Sequence, residues 1–154
     1  MTSPEESLVV LRKGDSAPEF EAELYPAGKF RLLDYRGKKN LILAFYPKDS
    51  TPGCTREMCA FSADLSKFSD RNTAVFGISC DSVDSHQRFT EKNALTVPLI
   101  SDSDGTVGRL YGALREGRSS AERKLFVIDK NGKVQDVVDG MPDNEELLSL
   151  LATI

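Results

Sequence analysis

Six consecutive apolar residues, Leu41 to Tyr46, are followed at once by Pro47, a polar turn and a helix start. The run has the length of a strand, and its lack of alternation implies burial on both faces. After the turn Lys48-Asp49-Ser50, Thr51 fits a helix N-cap and Pro52 fits the first helical position, where its missing N–H costs nothing. Beyond them Met58, Phe61, Leu65 and Phe68 recur at helical spacing and form one apolar stripe. A doubly buried strand feeding a one-faced helix needs cover on both sides, which points to an α/β chain with a central sheet.

The rest of the chain continues this alternation. Phe20 to Leu24 and Lys29 to Leu33 flank the turn-like Pro26-Ala27-Gly28 and predict an N-terminal β-hairpin. Further strands are expected at Ala74–Ser79, Pro98–Ser101 and Leu125–Ile128, with helices at Val83–Lys92 and Thr106–Tyr111. Asn131-Gly132 signals a turn into a return strand, Val134–Val138, and Glu145–Leu151 closes the chain as an amphipathic helix. No repeat or linker divides the sequence, so one domain over residues 1–154 is expected. The order fits a thioredoxin-like α/β sandwich, a central mixed β-sheet flanked by helices, with right-handed crossovers.

Charge excludes some functions. Twenty-four acids against 20 bases give a net charge of −4, with no basic block for nucleic acid or an anionic membrane. The longest apolar runs, about six residues, fall far short of the ~18 of a membrane span. Before Leu8 the sequence is polar and acidic (Glu5, Glu6), without the basic start and apolar core of a secretion signal. A cytoplasmic location is expected, or an organellar one if a leader has been removed.

There are three cysteines, Cys54, Cys59 and Cys80. An odd number without an export signal does not read as a disulfide framework, and no pair has C-x-x-C spacing. With one histidine, His86, they do not compose a zinc set, so no metal is expected. His86 reads as a helix-surface residue without a role, and Cys80 as a packed or incidental thiol.

Cys54 differs from Cys80 in position. It falls in the first turn of the expected helix, where free backbone N–H groups and the helix dipole favour an anion. A sulfur so placed is favoured as the thiolate, whereas an unperturbed thiol is only about 3% ionised at pH 7. Gly53 opens the backbone beside the sulfur. The competing reading packs Cys54 on the stripe of Met58, Phe61 and Leu65. Cys59 lies five residues on, roughly 8–9 Å away and turned about 140° in a continuous helix. A disulfide needs less than about 7 Å, so the two thiols either never pair or pair only when the helix start unwinds.

The segment Phe45-Tyr46-Pro47-Lys48-Asp49-Ser50-Thr51-Pro52-Gly53-Cys54-Thr55-Arg56-Glu57-Met58-Cys59 closely resembles the active-site segment of the peroxiredoxins, and most of all their PrxQ branch, the bacterioferritin comigratory proteins. The family pattern is intact as Pro47, Thr51 and Cys54, with a second cysteine five places on. Gly14 to Phe20, Gly77 to Ser82, and Phe126 to Asp129 with Arg123 before them extend the resemblance over nearly the whole chain; Leu125 departs from the usual Thr or Ser. The resemblance implies a thiol peroxidase acting on hydrogen peroxide and organic hydroperoxides, without cofactor or metal. Cys54 would be the peroxidatic and Cys59 the resolving residue, joined as an intramolecular disulfide and recycled by thioredoxin or a similar dithiol. Thr51 and Arg123 would assist the thiolate, Pro47 would shield the pocket, Gly53 would offer its N–H to substrate, and Glu57 would orient the arginine. A monomer or weak homodimer is expected. A thioredoxin-like disulfide reductase is disfavoured by the missing C-x-x-C; the other rival, a non-enzymatic redox sensor or chaperone, would oxidise stoichiometrically without turnover.

Overall fold

A computed structural model describes residues 10–154; the acidic start at Glu5 and Glu6 lies outside the described residues. Strands β1 (Glu21–Tyr25) and β2 (Lys29–Arg31) form the expected antiparallel hairpin. After a 3-10 turn at Leu32–Tyr35 come β3 (Asn40–Phe45), α1 (Pro52–Ala63), α2 (Leu65–Ser69), β4 (Thr73–Ser79) and α3 (Val83–Asn93). The chain then continues through β5 (Leu99–Ser101), α4 (Thr106–Leu110), β6 (Lys124–Ile128), β7 (Val134–Asp139) and α5 (Asn144–Leu151).

Seven strands make one mixed sheet in the order β2-β1-β5-β4-β3-β6-β7. The β3–β4 and β4–β5 pairs are parallel, and β6 and β7 run antiparallel beyond β3. The hairpin joins the sheet through β1, which pairs antiparallel with β5. Strand β3 is buried at every residue because its two faces serve two cores. Ile42, Ala44 and Tyr46 pack with Cys54, Met58, Phe61 and Leu147 on one side; Leu41, Leu43 and Phe45 pack with Phe30, Tyr111 and Phe126 on the other. Its continuous hydrophobicity follows from that double burial.

Two expected elements differ. The second hairpin strand stops at Arg31, and Leu32 turns into the 3-10 segment with its side chain in the core. The stripe from Met58 to Phe68 is broken at Asp64, which ends α1 and starts α2. Contacts from distant segments hold this break. Ser62 Oγ accepts the N–H groups of Thr96 and Val97, and Asn144 Nδ2 donates to the Ala60 carbonyl and to Asp64 Oδ2. Among the described residues no helix is long and apolar enough to cross a membrane, and no group of three or more His, Cys, Asp or Glu is placed to hold a metal ion.

Candidate active site

Strand β3 ends at Phe45, and Pro47 to Ser50 carry the chain over the sheet edge into α1. Cys54 therefore lies in the first turn of α1, fully buried on the same face as Met58 and Phe61. The sulfur is thus both a core contact and a residue of the helix N-terminus. Arg123 immediately precedes β6, whose Lys124 pairs with Phe45 at the end of β3. That register brings the guanidinium to the sulfur, with Arg123 Nη2 donating to Cys54 Sγ at 3.3 Å. Of the nearby bases, Arg115 instead pairs with Glu122 at the surface. A side chain at Gly53 would begin 3.0 Å from Arg123 Nη2, so the missing Cβ lets the guanidinium lie against the helix start.

The other donor of the fork, Arg123 Nη1, bonds Glu57 Oε1 at 2.5 Å. Glu57 sits one helical turn beyond Cys54 and is buried, and its Oε2 has no hydrogen-bond partner among the described residues. Burial pushes this carboxyl up to about 7, against the opposing pull of Arg123. Burial also works against the charge of Arg123, but its hydrogen bonds to Cys54 and Glu57 outweigh that and hold it above its ordinary value. One cation thus faces two groups able to carry negative charge.

Thr51 has the backbone of an N-cap (φ −87°, ψ 152°), but its hydroxyl does not cap α1 as expected. It donates instead to the Lys48 carbonyl at 2.8 Å, because the loop doubles back at Ser50 (φ 65°) and brings that carbonyl within reach. The Thr51 carbonyl opens the helix by accepting from the Thr55 N–H. Pro47 is half-buried beside the loop. Cys59 is half-buried on the intact α1, and all three cysteines are free thiols. Burial pushes the Cys80 thiol up, and Asp102 and Asp81 add to the effect.

His86 corrects the sequence reading outright. It is fully buried rather than on the helix surface, since with Phe89 it forms the inward face of α3. Its Nδ1 meets Asp49 Oδ2 at 2.7 Å and its Nε2 meets the Ile100 carbonyl at 3.0 Å. Asp49, which reads as a turn residue in the sequence, is buried as well. The available signal was the i, i+3 spacing of His86 with Phe89. A cavity of about 540 Å³ beside Ser62, Leu65, Val75 and Pro98 does not include Cys54.

The AhpC/TSA family model matches residues 13–137. A chloroplastic 2-Cys peroxiredoxin of Spinacia oleracea is 42% identical over 132 residues, covering 79% of this chain and 50% of that protein. Peroxiredoxin Q, chloroplastic, of Sedum lineare is 35% identical over 147 residues, covering 92% of this chain and 78% of its own length. The crystal structure of Peroxidoxin BcpB from Mycobacterium tuberculosis superposes with a TM-score of 0.86 at 31% identity, over 94% of this chain and 98% of that one. With this match and these relatives, the chain belongs to the AhpC/TSA family and is a peroxiredoxin, a thiol-dependent peroxidase.

Proposed function

We propose that Cys54 is the peroxidatic residue and that it reduces hydrogen peroxide and organic hydroperoxides. The thiolate sulfur attacks one peroxide oxygen, the O–O bond breaks, and the sulfur becomes a sulfenic acid; the departing oxygen takes a proton and leaves as water or an alcohol. The observation that carries this reading is the 3.3 Å contact between Arg123 Nη2 and Cys54 Sγ at the first turn of α1. A guanidinium there favours negative charge on sulfur and, as the O–O bond breaks, on oxygen. The N–H groups of Gly53 and Cys54, free at the helix start, supply further donors, and Pro47 excludes water. Thr51 would turn its hydroxyl from Lys48 toward the peroxide, and Glu57 holds the arginine.

Cys59 is the proposed resolving residue. Its thiol condenses with the sulfenic acid, releasing water and forming a Cys54–Cys59 disulfide within one chain. Because α1 is continuous from Pro52 to Ala63, pairing requires its first turns to unwind. Thioredoxin or a similar dithiol then returns both thiols. The raised Cys80 thiol argues against that residue as a resolving partner. The reading takes the chain as a single domain over residues 1–154, a monomer or weak homodimer acting in the cytoplasm, or in an organelle if a leader has been removed.

The test is a peptide mass map after one equivalent of peroxide is added to the reduced protein under non-reducing conditions. A Cys54–Cys59 bridge that spares Cys80 is expected. A Cys54–Cys80 bridge would transfer the resolving role, and a Cys54 that stays a thiol would end the peroxidatic assignment.

A further inference from the structure

The turn that delivers α1 is anchored from below. Asp49 Oδ1 accepts from the Tyr46 hydroxyl at 2.6 Å, and Oδ2 lies 2.9 Å from Ser85 Oγ and 2.7 Å from His86 Nδ1. The Asp49 N–H donates to Asp81 Oδ2, which also accepts from Ser79 Oγ. The carbonyl of Ile100 can only accept, so His86 Nε2 carries a proton. Asp49 and His86 are buried, and their hydrogen-bond partners do not include Cys54.

What this network holds is the residue after Asp49. Ser50 sits at φ 65°, a left-handed conformation that a non-glycine residue adopts only under constraint. Asp49 fixes the chain on one side of Ser50, and the Thr51 hydroxyl bond to the Lys48 carbonyl closes the other. Three residues beyond Thr51 lies Cys54. A strained turn, fixed by a buried network and leading directly to the sulfur, is the arrangement expected where geometry is set in advance of reaction.

We propose that Asp49 and His86 are positioning residues for peroxide reduction. They hold Ser50 in its left-handed turn and thereby set the placement of Thr51 and the α1 N-terminus around the peroxide. This rests on Cys54 being the peroxidatic residue, so peroxide consumption by the unmodified protein is measured first; its absence would end that reading rather than this one. Asp49→Asn and His86→Gln variants, shown folded by far-UV circular dichroism and thermal unfolding, are then compared in two reactions of Cys54. Peroxide reduction, which needs the surrounding donors in place, is expected to fall about tenfold or more. Alkylation by iodoacetamide, which needs only an accessible thiolate, is expected to stay within about twofold. A purely structural contribution would not separate the two. Ser50→Gly added to Asp49→Asn should recover part of the loss, since glycine adopts the turn without strain. If Asp49→Asn does not fold, Ser85→Ala removes one donor from the same carboxylate and is expected to act in the same direction. Peroxide rates that stay at the unmodified value in folded variants, or that fall in step with alkylation, overturn the proposal. So does a Ser50→Gly change that recovers nothing.

Discussion

The two ends of α1 are held by different kinds of contact. At the C-terminal end Ser62 takes the N–H groups of Thr96 and Val97, Thr96 Oγ1 returns a bond to the Ser62 carbonyl, and Asn144 reaches Ala60 and Asp64. These are neutral backbone bonds and amide bonds, one of them to a carboxylate, and none involves sulfur. At the N-terminal end Thr51 provides no side-chain cap, and Arg123 ties the helix through Cys54 and Glu57. Part of that tie runs through a sulfur. Under the proposed function, oxidation of Cys54 changes the partner of Arg123 and leaves the far end as it was. On the function proposed above, the helix opens from the end that carries Cys54.

Five substitutions test the contrast, beginning with the largest effect. Cys54→Ser should eliminate peroxide turnover in a coupled assay with a dithiol reductant, while Cys80→Ser should not. Arg123→Ala should lower kcat/KM for peroxide by roughly a hundredfold, the loss typical of one preorganised charge donor; stopped-flow oxidation of Cys54 measures it. An Arg123→Ala protein that reacts at the unmodified rate would break the contrast at its N-terminal side.

Glu57 should make the opening end sensitive to pH. Its carboxyl is raised from 4.5 to about 7 by burial, so the folded chain binds this proton more tightly than the unfolded one. Its contribution to stability is then full below about 4.5 and is lost as pH rises through about 7. Urea unfolding across this window should show stability falling with pH, and Glu57→Gln should flatten the slope. A slope unchanged in that variant would assign the pH dependence to another group. The smallest effect is expected at the other end of the helix. Ser62→Ala leaves two backbone N–H groups without their acceptor and should cost about 1–2 kcal/mol of stability, with the peroxide rate of reduced protein unchanged. Were Ser62→Ala to slow peroxide reduction as much as Arg123→Ala, the two ends would not be independent.

The sequence displayed most of the sheet because its strands are short, continuous apolar runs, and burial on both faces leaves no other pattern. It did not display the break at Asp64. The bonds that hold it come from Thr96 and Asn144, 34 and 80 positions from their partners, and a local stripe carries no trace of them. His86 was misread for the same reason. A polar side chain is buried when a partner waits for it, and that partner, Asp49, lies 37 positions away in what looks like a solvent-facing turn. Cys54 was legible from its place at a helix start. Arg123 was not separable from Arg115 or Arg118 by its neighbours in sequence. It was singled out by resemblance, and only the register of β6 against β3 shows why this arginine reaches the sulfur.

For the drift of this sequence over generations, Gly53 is the position at the helix start that is coupled to Arg123. Replacing its hydrogen with a methyl group would set that methyl 3.0 Å from Arg123 Nη2, tighter than most contacts of its kind, so the guanidinium would have to move. Every path from glycine to a larger residue passes through that displacement. Neighbouring positions such as Pro52 and Arg56 face solvent and can vary with little consequence for the arginine. The helix start can thus change its outer surface freely, whereas any side chain added at position 53 acts on the arginine.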